Sequence, residues 1–235
     1  MAGLVAGDIP ATVTLGARWL SVAVTPEVLE RTAEAVVAAL RPGVGLDWSR
    51  RAGTLEWTVE ATVAHMAAGM AKHLIYLTSR SSRFIAVATG RWPDATQEEM
   101  LDAIVGCAAA MANAARQSPP GAMGFHVSGM HDAEGFLAMD VVDLLVHAED
   151  VTQGLGLDFT PSDELCEVAL DFGHPDYAGR RPAWPTLLWI WERPHPATSS
   201  WGAAPAQRSN ESELPLEFAL DDVTGEWRPT RWASS

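Results

Sequence analysis

Residues 133–154 read AEGFLAMDVVDLLVHAEDVTQG, and this stretch decides the fold. Phe136, Leu137, Met139, Val142, Val146 and Val151 recur at helical rather than alternating spacing. The spacing predicts a helix from about Ala133 to Gln153, with Gly154 or Gly156 as its stop. Such a helix must bury its apolar stripe against partners, and three lie upstream. Thr25 caps and Pro26 begins a helix carrying Val28, Leu29, Thr32, Val36 and Leu40, ended by Pro42-Gly43. A second, from near Thr58, presents Val63, Met66, Met70, His73, Leu74 and Leu77. A third opens on the capping box Thr96-Gln97-Glu98-Glu99 and buries Met100, Ile104, Cys107, Ala108 and Met111 before Pro119-Pro120-Gly121. Four helices of roughly 15–20 residues imply an antiparallel four-helix bundle.

Outside these helices the texture changes. Residues 1–24 read as an irregular arm, and 25–156 as the helical bundle. Residues 157–235 read as a smaller α/β C-terminal domain. Its expected elements are a capped helix at Ser162–Phe172, a short apolar helix at Thr186–Glu192, and a β-hairpin of Leu214–Leu220 with Glu226–Arg231. The fold class is therefore mainly α with an α/β tail.

Composition narrows the function. The 235 residues are 48% hydrophobic and 20% charged, enough for a core and too apolar for disorder. Acids outnumber bases 30 to 16, a net charge of −14, and Arg50–Arg51 and Arg180–Arg181 are isolated pairs. A nucleic-acid partner is excluded on that ground. Lys72 is the only lysine, and the Arg- and Ala-rich usage is that of GC-rich DNA. Cys107 and Cys166 form no CxxC motif, so neither a disulfide framework nor a cysteine zinc site is expected. Met1–Gly7 carries no basic n-region and no apolar run reaches the roughly 18 residues of a membrane span. The expected setting is a reducing cytoplasm, and the composition is compatible with a monomer.

The pattern that bears chemistry is Asp143-Leu-Leu-Val-His147. Residues four apart stack on one helix face, so a carboxylate and an imidazole there can grip one ion. His65, beside the apolar stripe of the second helix, is the candidate third ligand. Two histidines and a carboxylate with one position open is an arrangement of catalytic zinc. With 7 histidines and 30 acids, chance alone places an acid four positions before some histidine about once. On spacing alone, a hydrogen-bonded core histidine is the commoner reading.

Three stretches carry a resemblance. Glu56-Trp57-Thr58-Val59, running to His65-Met66, resembles the "GWTV…HL" segment of the mycothiol-dependent maleylpyruvate isomerase family, whose members are DinB-like bundles. Asp47-Trp48 sits where that family often has a similar pair. Asp143-x-x-x-His147-Ala148-Glu149-Asp150, continuing to Gly156, is similar to its "ExxxHxWDxxxAxG" stretch. Thr186–Arg193 is similar to the "LLLWLxGR" of its C-terminal domain.

The resemblance implies zinc held by His65, Asp143 and His147, and mycothiol as the thiol co-substrate. Two positions depart from the family. Asp143 replaces a glutamate one methylene longer, so it must approach the ion more closely or bind through a water. Glu149 replaces a tryptophan and adds a carboxylate. Asp150 is either a residue that orients His147 or a solvated position near the helix end. A zinc-bound thiolate would attack an electrophilic small molecule, either transiently for cis–trans isomerisation or permanently as an S-transferase.

The remaining candidates are simpler. His126 and His131, with Asp132 and Glu134, read as an exposed loop, and His73 as core packing. Trp184, Trp189 and Trp191 read as interdomain packing, and Cys107 as a buried thiol. Arg228 and Arg231 on the last strand are candidates to clamp a substrate carboxylate, against the reading of a solvated strand face. Two other functions fit the same residues. One is a thiol-independent hydrolysis or rearrangement at the same metal site, and the other a non-catalytic small-molecule binding protein.

Overall fold

The computed structural model describes residues 23–193 and two short strands at 218–220 and 227–229. The arm at 1–22 and Arg231 lie outside the described residues. The molecule is mainly helical. Its elements run α1 (Pro26–Leu40), α2 (Val59–Ser79), α3 (Gln97–Gln117), β1 (Gly124–His126), β2 (Gly129–His131), α4 (Ala133–Leu155), α5 (Asp163–Gly173), α6 (Ala183–Ile190), β3 (Phe218–Leu220) and β4 (Trp227–Pro229). Among the described residues no helix is long and apolar enough to cross a membrane.

The helix starts follow from their caps. Thr58 accepts a hydrogen bond from the Ala61 amide at the head of α2, and Ser162 one from Leu165 at the head of α5. Thr96 and Glu99 form both bonds of the expected capping box. The two candidate stops of α4 prove to have different jobs. Gly156 ends the helix in the left-handed conformation, φ +71°. Gly154 lies inside it, where a Cβ would come within 2.4 Å of the Arg51 carbonyl, so the residue must be glycine for α4 to seat against the 51–59 loop.

Side chains at the helix ends set the directions. Arg116, late in α3, pairs with Glu27 and Glu30 early in α1, and Arg41, just past α1, pairs with Glu98 at the start of α3. These two helices are antiparallel. Along the α2–α4 contact, His65 meets His147 and His73 meets Asp140, so this pair is antiparallel as well. The Val24 amide, ahead of α1, donates to Glu134 in the first turn of α4, and Gly43, beyond α1, lies against Leu155. Helices α1 and α4 therefore run parallel, and residues 80–96 carry the chain from α2 to a helix running the same way.

One core joins these helices to α5 and α6. It includes Leu29, Val36, Leu40, Tyr76, Ile104 and Phe136, and continues through Leu145 to Leu170, Leu187 and Ile190. Helix α4 is its axis: 17 of its 23 residues are buried, not the single stripe that the sequence suggests. A helix packed on nearly every side must neutralise its polar groups locally, and this fixes where the chemistry sits. The loop expected to carry His126 and His131 is an antiparallel hairpin pairing Gly124 with His131, held to the end of α2 by the Phe125 amide on the Ser81 carbonyl at 2.9 Å. Helix α6 starts three residues before its expected beginning, directly after Pro182. Strands β3 and β4 pair antiparallel, Phe218 opposite Pro229 and Ala219 opposite Arg228.

Candidate functional site

Helices α2 and α4 bring His65 and His147 together. Their rings stand edge to face with centroids 5.0 Å apart. Trp57, from the loop ahead of α2, closes over both rings, at 5.0 Å from His65 and stacked at 6.1 Å on His147. Burial pulls His65 down from 6.5 to about 4, and the neighbouring charge of His147 adds to this against the opposing pull of Asp143. At neutral pH His65 is an uncharged imidazole.

His147 is steered from behind. Its Nδ1 lies 3.2 Å from Oδ2 of Asp150. Asp150 is buried and is gripped by both arms of Arg193, at 2.8 and 2.9 Å. A neutral His147 that donates from Nδ1 keeps its Nε2 lone pair for a ligand. Asp150 thus orients His147, and the solvated alternative is set aside. Arg193, the last residue of the apolar segment at 186–193, is the partner that sequence reasoning did not assign. Glu149 is buried and accepts from Gln153 Nε2 at 2.8 Å, one helical turn away.

Asp143 lies one turn before His147 on α4 and acts electrostatically on His65. It also lines a cavity of about 260 Å³ with His73, His126, Ser128, His174 and Trp191. Among the described residues no three His, Cys, Asp or Glu side chains form a group set to hold a metal ion. The donor set nevertheless suits zinc in kind. Two imidazoles bound at about 2.0–2.1 Å keep their ring centres within roughly 6 Å of each other, and His65 is neutral, as a ligand must be. His147 has the carboxylate partner that metal-bound histidines use, and Asp143 shares its helix face.

The same helices hold a second pair. His73 Nδ1 lies 2.6 Å from Oδ1 of Asp140, both residues buried. Burial pulls His73 down, and the charge and hydrogen bond of Asp140 outweigh it, leaving His73 raised above its ordinary value. His126 stands edge-on to His73 at 5.1 Å. The Ser128 amide donates to His126 Nδ1 at 3.2 Å, so the neutral ring carries its proton on Nε2. The Ser128 hydroxyl bridges His126 Nδ1 at 2.7 Å and His131 Nε2 at 3.0 Å. Burial lowers His126 from 6.5 to about 3. These histidines are part of a folded network rather than an exposed loop.

The backbone of Arg228 pairs with Ala219 in the β3–β4 hairpin. Burial pushes the Cys166 thiol up to about 12, and Cys107, half-buried, is also raised by burial. Cys107 lines a larger cavity of about 580 Å³ between α2, α3 and the 88–95 segment. Trp184 is buried and Trp189 packs on Tyr177 at 5.7 Å. No family model, no curated protein and no solved structure matches this chain.

Proposed function

We propose that the protein is a divalent-metal-dependent enzyme in which a low-molecular-weight thiol attacks an electrophilic small molecule, as an S-transferase or a cis–trans isomerase of maleylpyruvate type. On this reading α1–α4 form a DinB-like bundle, residues 157–235 a smaller domain, and the enzyme acts in the cytoplasm. The observation that carries it is the His65–His147 pair under Trp57, with His147 tied through Asp150 to Arg193.

His65, His147 and Asp143 would hold the metal, zinc by donor type. Bound zinc supplies a thiolate near neutral pH. The chain's own part is positioning. Asp150 keeps His147 in one orientation, burial keeps His65 unprotonated, and the Trp57 ring shields the pair from water. Neither cysteine is an activated thiol, since burial raises both, which favours an external nucleophile such as mycothiol.

Elemental analysis of untagged protein purified without chelator, beside His65→Ala, tests the site. About one zinc per chain, lost in the variant, is expected. Absence of metal in the wild type after zinc is added back would remove the ligand assignment and leave the binding-protein reading. With metal established, acceleration of a thiol's reaction with a model electrophile is expected to require His147. Turnover without thiol would instead assign the site to hydrolysis.

A further inference from the structure

The cavity of about 260 Å³ lined by Asp143 has features that the metal site does not use. On one wall His73 is fixed by Asp140 at 2.6 Å, with exposures of 5% and 1%. Oδ2 of Asp140 is buried and has no hydrogen-bond partner, so the carboxylate's one bond is to His73. With Nδ1 donating to Asp140, the lone pair of a neutral His73 is on Nε2, the nitrogen away from the carboxylate. That is the relation between an orienting carboxylate and a general base. Trp191 borders the same cavity, and its indole Nε1–H is buried without a hydrogen-bond partner. An indole N–H can only donate, so what is missing there is an acceptor. Met139, Val142 and Phe172 are the apolar part of the lining, His126, Ser128 and His174 are its other polar groups, and Asp143 makes it unfavourable to an anion.

We propose that His73, held by Asp140, is a general base for this cavity, and that the cavity takes a small uncharged carbonyl compound whose oxygen accepts from Trp191. The step balances without a co-reactant. A C–H bond next to the carbonyl breaks, and the proton goes to His73 Nε2. The electron pair forms the C=C bond of an enolate, and the oxygen takes the charge against the indole N–H. Return of the proton to the oxygen completes a keto–enol isomerisation, and return to the same carbon, from either face, exchanges the proton or inverts the centre. At about 30 Å³ per water-sized group, the cavity admits on the order of ten non-hydrogen atoms. The proposal does not depend on the metal site.

The probe is 5-nitrobenzisoxazole, a carbon acid of suitable size that opens to a coloured phenolate when a base removes the proton on its isoxazole carbon and the N–O bond breaks. It is used with the full chain in the presence of EDTA. The wild type is expected to open it at least tenfold faster than the same concentration of free imidazole. His73→Gln is expected to fall to background, Asp140→Asn to lose tenfold or more, and Trp191→Phe to lose a few-fold. Added imidazole is expected to restore rate to His73→Ala, which a structural role for His73 would not produce. Exchange of the C–H protons of hydroxyacetone in D₂O, lost in His73→Gln, extends the result to a carbonyl compound. A wild-type rate equal to free imidazole would overturn the proposal, as would a rate unaffected by both His73→Gln and Trp191→Phe. A rate abolished by EDTA would assign the chemistry to the metal and overturn the dyad, leaving the metal reading standing. Where His73→Gln does not fold by circular dichroism, Trp191→Phe carries the test, because it keeps an aromatic side chain and removes the donor.

Discussion

His65 and His73 stand eight residues apart on α2, about 12 Å along the helix at 1.5 Å per residue, and both meet α4, but they meet opposite chemistry. His65 faces another imidazole, His147, and is pushed down to about 4. His73 faces a carboxylate, Asp140, and is raised. Desolvation acts against the charged form at both places, so the facing group decides the outcome. Where histidine meets histidine, the result is a pair of nitrogen donors suited to a cation. Where histidine meets aspartate, the result is a held proton. One pair of antiparallel helices thus carries a ligand-like end and a proton-handling end, with Asp143 between them in sequence and lining the cavity on the His73 side.

Removing Asp140 breaks the comparison most severely. Asp140→Ala leaves His73 in the core without its partner, a loss expected to destabilise the fold by about 3 kcal/mol. His65→Ala in metal-free protein, at a half-buried position, is expected to cost about 1 kcal/mol. Urea unfolding measures both. Equal losses would mean that the His73–Asp140 bond is not what distinguishes the two ends.

Next comes the grip on His147. Asp150→Asn keeps the shape but weakens the bond to His147 Nδ1 and the two to Arg193. If the ligand-like end holds zinc, affinity is expected to fall 10–100-fold, the usual effect of removing a ligand's own partner. Competition with a chromogenic chelator reads it, and an unchanged affinity would detach Asp150 from the site.

Little of this contrast is legible in the sequence. The helix starts are, because Thr96, Thr58 and Ser162 cap their own amides, a bond local in sequence. The meeting of His65 with His147 is also legible, since both lie beside apolar stripes. The pairing of Asp140 with His73 is not, because no local pattern around either residue marks it. A stripe reading of α4 predicts one buried face, whereas the surrounding helices bury it nearly all round and place Asp140 and Asp150 inside. The 124–131 hairpin escapes for another reason. Each strand has three residues and begins with glycine, and its pairing is supported from α2 rather than by strand propensity.

Acid sharpens the contrast because the two ends respond with opposite sign. His65, lowered from 6.5 to about 4, resists in the folded state a proton that the unfolded chain accepts. Its contribution is present above pH 6.5 and lost as pH falls toward 4. His126, lowered to about 3, extends the loss. His73 is raised, so its contribution is complete below 6.5 and lost as pH rises through its folded value. Thermal melts from pH 4 to 8 with chelator present are expected to show Tm falling on the acid side. His65→Gln should flatten that fall, whereas His73→Gln should lower Tm most on the acid side and remove only the decline above pH 6.5. An acid slope unchanged in His65→Gln would place the loss elsewhere.

The smallest effect expected is at the start of α2, and it separates the facing groups from the helix that carries them. Thr58 accepts from the Ala61 amide at 3.1 Å, and removing that cap in Thr58→Ala is expected to cost about 1 kcal/mol. His65 and His73 ride on the same helix, so a loss at its start weakens the support of both without changing what either faces. Zinc affinity and 5-nitrobenzisoxazole opening, measured on the folded fraction, are therefore expected to stay within about twofold of wild type while Tm drops. Thr58→Ser, which retains the acceptor oxygen, should restore Tm. His65 lies two turns from the cap and His73 four, so a selective loss of zinc affinity would mean that fraying of the first turns reaches His65. The ligand-like end would then owe its geometry to the helix terminus as much as to His147.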